Sequence, residues 1–287
     1  MNSASTQNLY THVEFLTNIR PYRNFENLAS LQKAKEYISE TFASYGCQVT
    51  EQKWLAESRE YANVIASYCP EKRKRVIVGA HYDVCGEQPG ADDNASAVAG
   101  LLETARLTMM NRPSLDYGID FVSYCLEEPP FWETELMGSY IHSRSLKENG
   151  IEVKGMICYE MIGYYSDEPN SQASPYPELA KLYPSTANFI IVVGIERFEK
   201  FTNQFHAAMA DNSKIDVQKI CLDDTNGWAG LSDHRNYWHF DFPGLMINDT
   251  SFLRNPHYHE ITDTIETLDF NKMTAVVDSA YNGIVSL

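Results

Sequence analysis

The stretch that decides the fold covers residues 76–96 and reads VIVGAHYDVCGEQPGADDNAS. Its first five residues, Val76 to Ala80, are typical of a buried strand, and the small-residue pattern from Ala97 to Leu107 indicates a helix. His81 and several carboxylates therefore lie on a loop between a strand and a helix, which is where an open α/β sheet places its functional sites. Imidazole and carboxylate groups together suit zinc or a similar divalent metal.

Strand and helix patterns alternate along most of the chain. Apolar runs predict strands over residues 49–55, 63–68, 76–80, 119–126, 153–158, 189–193 and 243–247. Helical spacing predicts helices over residues 28–42, 97–107, 136–146, 233–240 and 270–285. A long segment rich in proline, residues 163–184, is expected to be irregular. Because no repeat or break in composition is visible, we predict one α/β domain over residues 1–287, with a largely parallel or mixed sheet.

Composition and charge argue against nucleic acid and anionic membranes as partners. The chain has 23 basic and 39 acidic residues, a net charge of −16, which disfavours nucleic acid and anionic membranes. Such a surface would accept the ammonium group of a peptide, although it could serve solubility alone. There is no apolar run long enough to span a membrane. Six scattered cysteines without a Cys-x-x-Cys pair predict reduced thiols.

The N-terminal residues carry neither a basic nor an apolar segment of the kind found in signal peptides. We therefore expect a cytoplasmic protein, or a secreted or periplasmic one if a leader has been removed. No long inserted segment suggests a dimerisation domain, so a monomer is the expected state.

Polar groups follow the ends of several predicted strands. They are His81 with Asp83, the pair Glu127-Glu128, Glu160, Asp233-His234, and the cluster at residues 255–263. Adjacent glutamates point in different directions, so one can bind a metal while the other acts as a general base toward the metal's water. This combination predicts a metal-dependent hydrolase.

Six motifs occur in order along the chain. They are His81-Tyr82-Asp83, residues 90–96 (GADDNAS), Glu127-Glu128 with Gly138-Ser139, Met161-Ile162-Gly163, Ser232-Asp233-His234, and Tyr258-His259 with Asp263. Together they resemble the motifs of the co-catalytic zinc aminopeptidases, metallopeptidase family twenty-eight, over roughly residues 63 to 265. The resemblance implies a three-layer sandwich whose mixed, mostly parallel twisted sheet carries helices on both faces.

The resemblance also implies two zinc ions and a role for each motif residue. His81 would bind one ion, Asp93 would bridge both, and Glu128 would complete the first site. His259 and Glu160 would fill the remaining positions. The metal pair would bind the attacking hydroxide and polarise the scissile carbonyl.

Three further roles follow from the same motifs. Glu127 would be the general base. Asp83 would orient His81, and Asp263 would do the same for His259.

Two departures from the family pattern affect these assignments. The family carries aspartate where this chain has Glu160, so this residue is expected to be a ligand, a group that supports one, or a position that leaves the metal site vacant there. The segment between Glu128 and Gly138 is longer and more aromatic than usual. Its residues Phe131 and Trp132 are candidates for a substrate-pocket wall, as is His234 elsewhere in the chain, with ordinary packing as the alternative.

The leading functional hypothesis is a zinc exopeptidase, specifically an aminopeptidase that acts on peptides. One alternative is a single-zinc acyltransferase of the glutaminyl cyclase type. The long aromatic segment between Glu128 and Gly138 slightly favours it. The other alternative is a non-catalytic relative. The presence of Glu127 and of the neighbouring ligand candidates argues against it. Binding of two metal ions would indicate the aminopeptidase, one ion the cyclase type, and no ion the non-catalytic relative.

Overall fold

An eight-stranded mixed sheet forms the centre of the protein, whose computed structural model describes residues 2–287. The strands are β1 (Gln48–Ala56), β2 (Arg59–Tyr68), β3 (Lys74–His81), β4 (Gly118–Tyr124), β5 (Glu152–Glu160), β6 (Phe189–Ile195), β7 (Asp216–Leu222) and β8 (Gly244–Asn248). Their order is β1-β2-β4-β3-β5-β8-β6-β7, and four of the seven neighbouring pairs are parallel. The predicted mixed, mostly parallel sheet is confirmed.

Helices cover both faces of this sheet. One face packs against α1 (Thr6–Thr17), α2 (Leu28–Ser44), α3 (Ala97–Asn111), α5 (Glu199–Ala210) and α7 (Phe270–Val285). The other face packs against α4 (Gly138–Glu148) and the short α6 (Arg235–Trp238). The three-layer α/β sandwich implied by the motifs is therefore confirmed.

Strand β3 lies in the middle of the sheet, and its sequence is apolar from Val76 to Ala80. Val76 and Val78 point into the larger core beneath the first set of helices, whereas Ile77 points into the smaller core on the opposite face. Because both faces of a central parallel strand are covered, residues Val76 to Ala80 are apolar on both sides. The strand consequently delivers His81, its last residue, to the carboxyl edge of the sheet.

Helices α1 and α5 and strand β7 were not predicted from the sequence. In α1 the buried apolar residues Leu9, Val13 and Leu16 are separated by polar ones, so the apolar stripe is narrow. Strand β7 lies at the edge of the sheet and is mostly half-buried, which weakens its apolar pattern. Residues 163–184 are irregular as expected, apart from a short helical turn at Leu179–Lys181.

Within residues 2–287, no helix combines the length and the apolar character needed to cross a lipid bilayer.

Two histidines are buried within the helical layers. His12 in α1 lies between the hydroxyl groups of Tyr37 and Tyr45, and His142 in α4 bonds to the hydroxyl of Tyr237. Burial lowers the pKa of each imidazole from 6.5 to about 4. The folded protein therefore keeps both rings neutral at a pH where the unfolded chain would protonate them.

Acidification should consequently destabilise the fold. Stability from each ring is fully present above pH 6.5 and is lost as the pH falls toward 4, by about 3 kcal/mol per histidine. Urea unfolding of His142→Gln at several pH values should show a shallower loss of unfolding free energy between pH 6.5 and 4 than the wild-type protein. Parallel curves for the two proteins would contradict a neutral buried His142.

Candidate metal centre

The candidate site lies at the carboxyl edge of the sheet. His81 ends β3, Glu160 ends β5, and Glu127 follows the end of β4 by three residues. His259 reaches the same place from the loop after β8, and Asp93 comes from the turn that precedes α3. Since β3, β4 and β5 are parallel neighbours, their carboxyl ends meet at one edge.

These side chains form two groups that share Asp93. In the His81 group, Nε2 of His81 lies 3.4 Å from Asp93 Oδ1 and 3.4 Å from Glu160 Oε2. In the His259 group, Nε2 of His259 lies 3.1 Å from Asp93 Oδ2 and 3.4 Å from Glu128 Oε2. Ligand atoms around one tetrahedral zinc ion are about 3.3 Å apart, given metal–ligand distances near 2 Å. The ligand atoms of each group therefore have the spacing expected around one ion of a two-metal centre.

The position of Glu128 differs from the sequence-based expectation. We expected it to complete the site that contains His81, but its Oε2 lies against His259. Asp93 stands between the two histidines and directs one oxygen to each. An oxygen of Glu128 nevertheless remains within 4.8 Å of a His81 ring nitrogen, so the two groups adjoin.

Several ligand atoms have no hydrogen-bond partner among residues 2–287. Asp93 Oδ1, Glu128 Oε1 and His259 Nε2 are all buried and unpaired in this way. Buried polar atoms in native proteins are almost always satisfied, so unpaired atoms clustered within one site require an explanation. Imidazole nitrogen and carboxylate oxygen are the ligands that zinc prefers in hydrolases, and the residues fit such an ion.

The electrostatics of the site point the same way. Burial, with the neighbouring Glu128 and Glu160, raises the pKa of Glu127 well above its usual value, and burial raises that of Glu128 to about 7. Burial alone would lower the pKa of His81, but Glu160 and Glu127 outweigh it and raise this pKa well above 6.5. The site therefore carries more carboxylates than its imidazoles can balance, a surplus that divalent cations would neutralise.

Asp83 lies next to His81, the ring that it was expected to orient. Its Oδ1 is 3.5 Å from His81 Nδ1, which leaves Nε2 free to face Asp93 and Glu160. The same carboxylate accepts the backbone N–H groups of Glu127 and Glu128 at 3.3 and 3.2 Å. One buried aspartate thus holds the backbone of the glutamate pair in place and lies beside the ring of His81.

Asp263 does not orient His259, and that expectation is wrong. Its carboxylate accepts the backbone N–H groups of Asp92 at 3.0 Å and Asp93 at 3.1 Å. It therefore supports the residue between the two groups rather than the histidine. The ring of His259 instead stacks on Tyr258, with ring centroids 3.8 Å apart.

Glu160 is held in the site despite its extra methylene group. Its Oε2 accepts hydrogen bonds from Ser232 Oγ at 2.7 Å and from Asn94 Nδ2 at 3.1 Å. These two donors point the carboxylate at His81, so the geometry suits a ligand. Ser232 belongs to the Ser-Asp-His motif, whereas the contribution of Asn94 was not anticipated.

Two other residues near the site were given no role by reasoning from sequence, and one of them, Arg23, was not identified at all. Asp233 is fully buried, and its pKa is raised to about 7, chiefly by burial. Arg23 is also buried and donates to the carbonyl oxygens of Tyr82, Pro89 and Gly90, which fixes the loop between His81 and Asp93. The Ser-Asp-His motif could have indicated Asp233, but no local pattern marks Arg23.

Gly90 shows how tightly that loop is packed. It has a φ of +60°, and a Cβ there would collide with the carbonyl oxygen of Asp93 and with Val84. Only glycine adopts this backbone conformation without cost, and only glycine leaves room for the Asp93 peptide.

A cavity of about 340 Å³ opens onto the candidate ligands. Its walls are mainly apolar and come from three strands and the irregular loop: Phe189, Ile191, Val193, Ile220, Leu222, Met246, Pro175, Tyr176, Leu179 and Tyr183. Trp132 lines it, as expected. A cavity of this kind next to charged groups is typical of a binding site for a small apolar moiety.

Two expected pocket residues lie elsewhere. Phe131 is buried in the core, edge-on to Phe25 and Tyr61, because the turn after Glu128 directs its ring inward. His234 is fully buried as well, with Nε2 bonded to the carbonyl oxygen of Ala229 at 2.7 Å. Neither side chain reaches the cavity wall, and both expectations are wrong.

Comparison with known proteins identifies the family. The model of Peptidase family M28 matches residues 63–283. The chain belongs to this family. The resemblance in the motifs is thereby confirmed, and this M28 protein is a hydrolase of the peptidase class.

Relatives and solved structures extend this comparison. The Escherichia coli (strain K12) uncharacterized protein YfbL is 40% identical over 99% of this chain and 88% of its own length. A probable leucine aminopeptidase of Trichophyton verrucosum is 26% identical over 94% of this chain and 69% of its own length.

Two solved structures share the fold at 20% identity. The Legionella pneumophila LapA aminopeptidase has a TM-score of 0.76, over 99% of this chain and 70% of that one. The Bacteroides thetaiotaomicron glutaminyl cyclase, bound to N-acetylhistamine, has a TM-score of 0.74, over 100% of this chain and 99% of that one.

Proposed function

We propose that this M28 protein is an aminopeptidase that binds two zinc ions and removes N-terminal residues with large apolar side chains. The observation that carries the proposal is the position of Asp93, whose two oxygens face two different histidines. A carboxylate placed in this way suits two cations a few ångströms apart, the arrangement used by two-metal aminopeptidases. The His81 and His259 groups would hold one ion each.

Bound zinc would supply an activated water and polarise the carbonyl of the scissile peptide bond. Glu127 Oε2 lies 3.7 Å from His81 Nε2, and Glu127 forms a possible metal-binding group with His81 and Glu128. We assign Glu127 the role of general base and Glu128 the role of ligand. Glu127 also lines the cavity, where the substrate would lie. In this proposal Glu127 takes the proton from the attacking water and transfers it to the leaving amine as the C–N bond breaks.

The cavity supports the substrate class. Its apolar walls would bury the first side chain of the peptide, while the scissile bond would lie near Glu127, which also lines the cavity. The name of the fungal relative, a probable leucine aminopeptidase, agrees with this class. Each added methylene group that an apolar pocket buries is worth about 1–3 kcal/mol in transition-state binding.

The direct test is hydrolysis of leucyl peptides with a free or an N-acetylated terminus by the zinc-loaded protein. We expect release of leucine from the free peptide and none from the acetylated one, because an aminopeptidase requires the free amine. Equal cleavage of both, or internal cleavage of longer peptides, would rule out an aminopeptidase.

A second prediction concerns the cavity wall. The variant Ile220→Asp places a charge in the wall, so kcat/KM for a leucyl substrate should fall at least about tenfold while that for a glycyl substrate changes little. The control is Ile261→Asp, at an exposed residue outside the wall. An equal loss on both substrates would show that the cavity does not receive the first side chain.

A glutaminyl cyclase activity is the second candidate. The fold of the Bacteroides thetaiotaomicron cyclase and the presence of Trp132 at the cavity favour it. A peptide that begins with glutamine separates the two activities: a peptidase releases free glutamine, whereas a cyclase releases ammonia and leaves the peptide bonds intact.

A further inference from the structure

Cys85 lies beside the His259 group, four residues after His81 on the same loop. The ligand atoms of Cys85, Glu128 and His259 all lie within 4.8 Å of one another. Cys85 is half-buried and forms no disulfide. Nothing in the motif pattern or in the proposed function uses this thiol.

Two of the residues near Cys85 have buried side-chain atoms with no hydrogen-bond partner among residues 2–287. Glu128 is nine-tenths or more buried, and its Oε1 has no hydrogen-bond partner among residues 2–287. Nε2 of His259 is likewise unpaired in that part of the chain. The thiol therefore lies within 4.8 Å of ligand atoms of Glu128 and His259, and Asp93 Oδ2 lies 3.1 Å from His259 Nε2.

We propose that Cys85 is a fourth protein ligand to the metal ion held by Asp93, Glu128 and His259. The inference rests on the proposed function, since it concerns the same two-metal centre. On binding, the S–H bond breaks, a sulfur–metal bond forms and the proton passes to solvent.

This ligand would make the two halves of the centre chemically different. Four protein ligands close a tetrahedral zinc site, whereas sites that carry out chemistry keep a position open. The His81 group would use His81, Asp93 and Glu160 as its three ligands, so the open position would lie there. A thiolate also favours zinc or cobalt over magnesium or manganese at the His259 group.

The test uses the full-length protein loaded with cobalt(II), which reports a bound thiolate by an intense near-ultraviolet charge-transfer band. Weaker visible bands appear whichever residues bind the cobalt. We expect the charge-transfer band in the wild-type protein, its loss in Cys85→Ser and in Cys85→Ala, and its retention in Cys69→Ser. Cys69 is a matched control because it is also half-buried and follows β2, at the opposite end of the sheet.

A second readout is zinc affinity, measured by competition with a chelator. In Cys85→Ser, one of the two zinc ions should bind at least about tenfold more weakly, since even residues that only support ligands contribute that much. Two cobalt ions with visible bands but no charge-transfer band would overturn the role of Cys85 and leave the aminopeptidase proposal intact. Failure to bind any cobalt would overturn both.

Discussion

Replacing Glu127 with glutamine should lower kcat by about 100- to 10,000-fold and leave both zinc ions bound, because general acid–base catalysis contributes that much. The amide keeps the size of the side chain but cannot take a proton from water. Glu127 is not needed to complete either group of three ligands, and it lines the apolar cavity. Elemental analysis and steady-state kinetics on the same preparation measure the two effects together.

The neighbouring residue provides the control. Glu128→Gln should lose one of the two zinc ions, since Glu128 lies 3.4 Å from His259 and belongs to that group. If Glu127→Gln loses metal instead and Glu128→Gln keeps it, the roles of the two glutamates are the reverse of those proposed.

Replacing Asp93 with asparagine should weaken the binding of both zinc ions by at least about 100-fold. This loss in affinity is larger than the one expected when a residue that only supports a ligand is removed. The physical reason is that each oxygen of Asp93 faces a different histidine. An amide offers only one oxygen and no negative charge. Titration of the metal-free variant with zinc, followed by calorimetry, measures both sites.

His259→Ala is the matched comparison for this prediction. It removes a residue from one group only, so one ion should remain at close to wild-type affinity. Equal loss of both ions in His259→Ala, or loss of only one in Asp93→Asn, would show that Asp93 does not join two metal sites.

Much of the site could be predicted because it lies at strand ends. The apolar runs that end at His81 and Glu160 place both residues at the carboxyl edge of a parallel sheet. The Glu127-Glu128 pair follows β4, the next strand on the other side of β3, so it reaches the same edge. A period of two along each strand and the parallel order are sufficient to bring these groups together.

Features that depend on long-range packing could not be predicted in this way. Asp263 supports the backbone of Asp92 and Asp93 across 170 residues of chain, and no local pattern distinguishes that role from one beside His259. Phe131 follows two prolines and looks exposed in sequence, yet its ring packs between Phe25 and Tyr61.

The proximity of Cys85 to the His259 group is a second case of this kind. The thiol comes close to His259 only because the loop after β3 folds toward the loop after β8. Sequence spacing contains no information about that approach, since the two residues are 174 positions apart.

A crystal structure of the zinc-loaded protein, with anomalous difference maps recorded on both sides of the zinc absorption edge, tests the two-metal centre most directly. We predict two peaks, one among His81, Asp93 and Glu160 and the other among Asp93, Glu128 and His259. A single peak, or a second peak that does not involve Asp93, would contradict the centre proposed here.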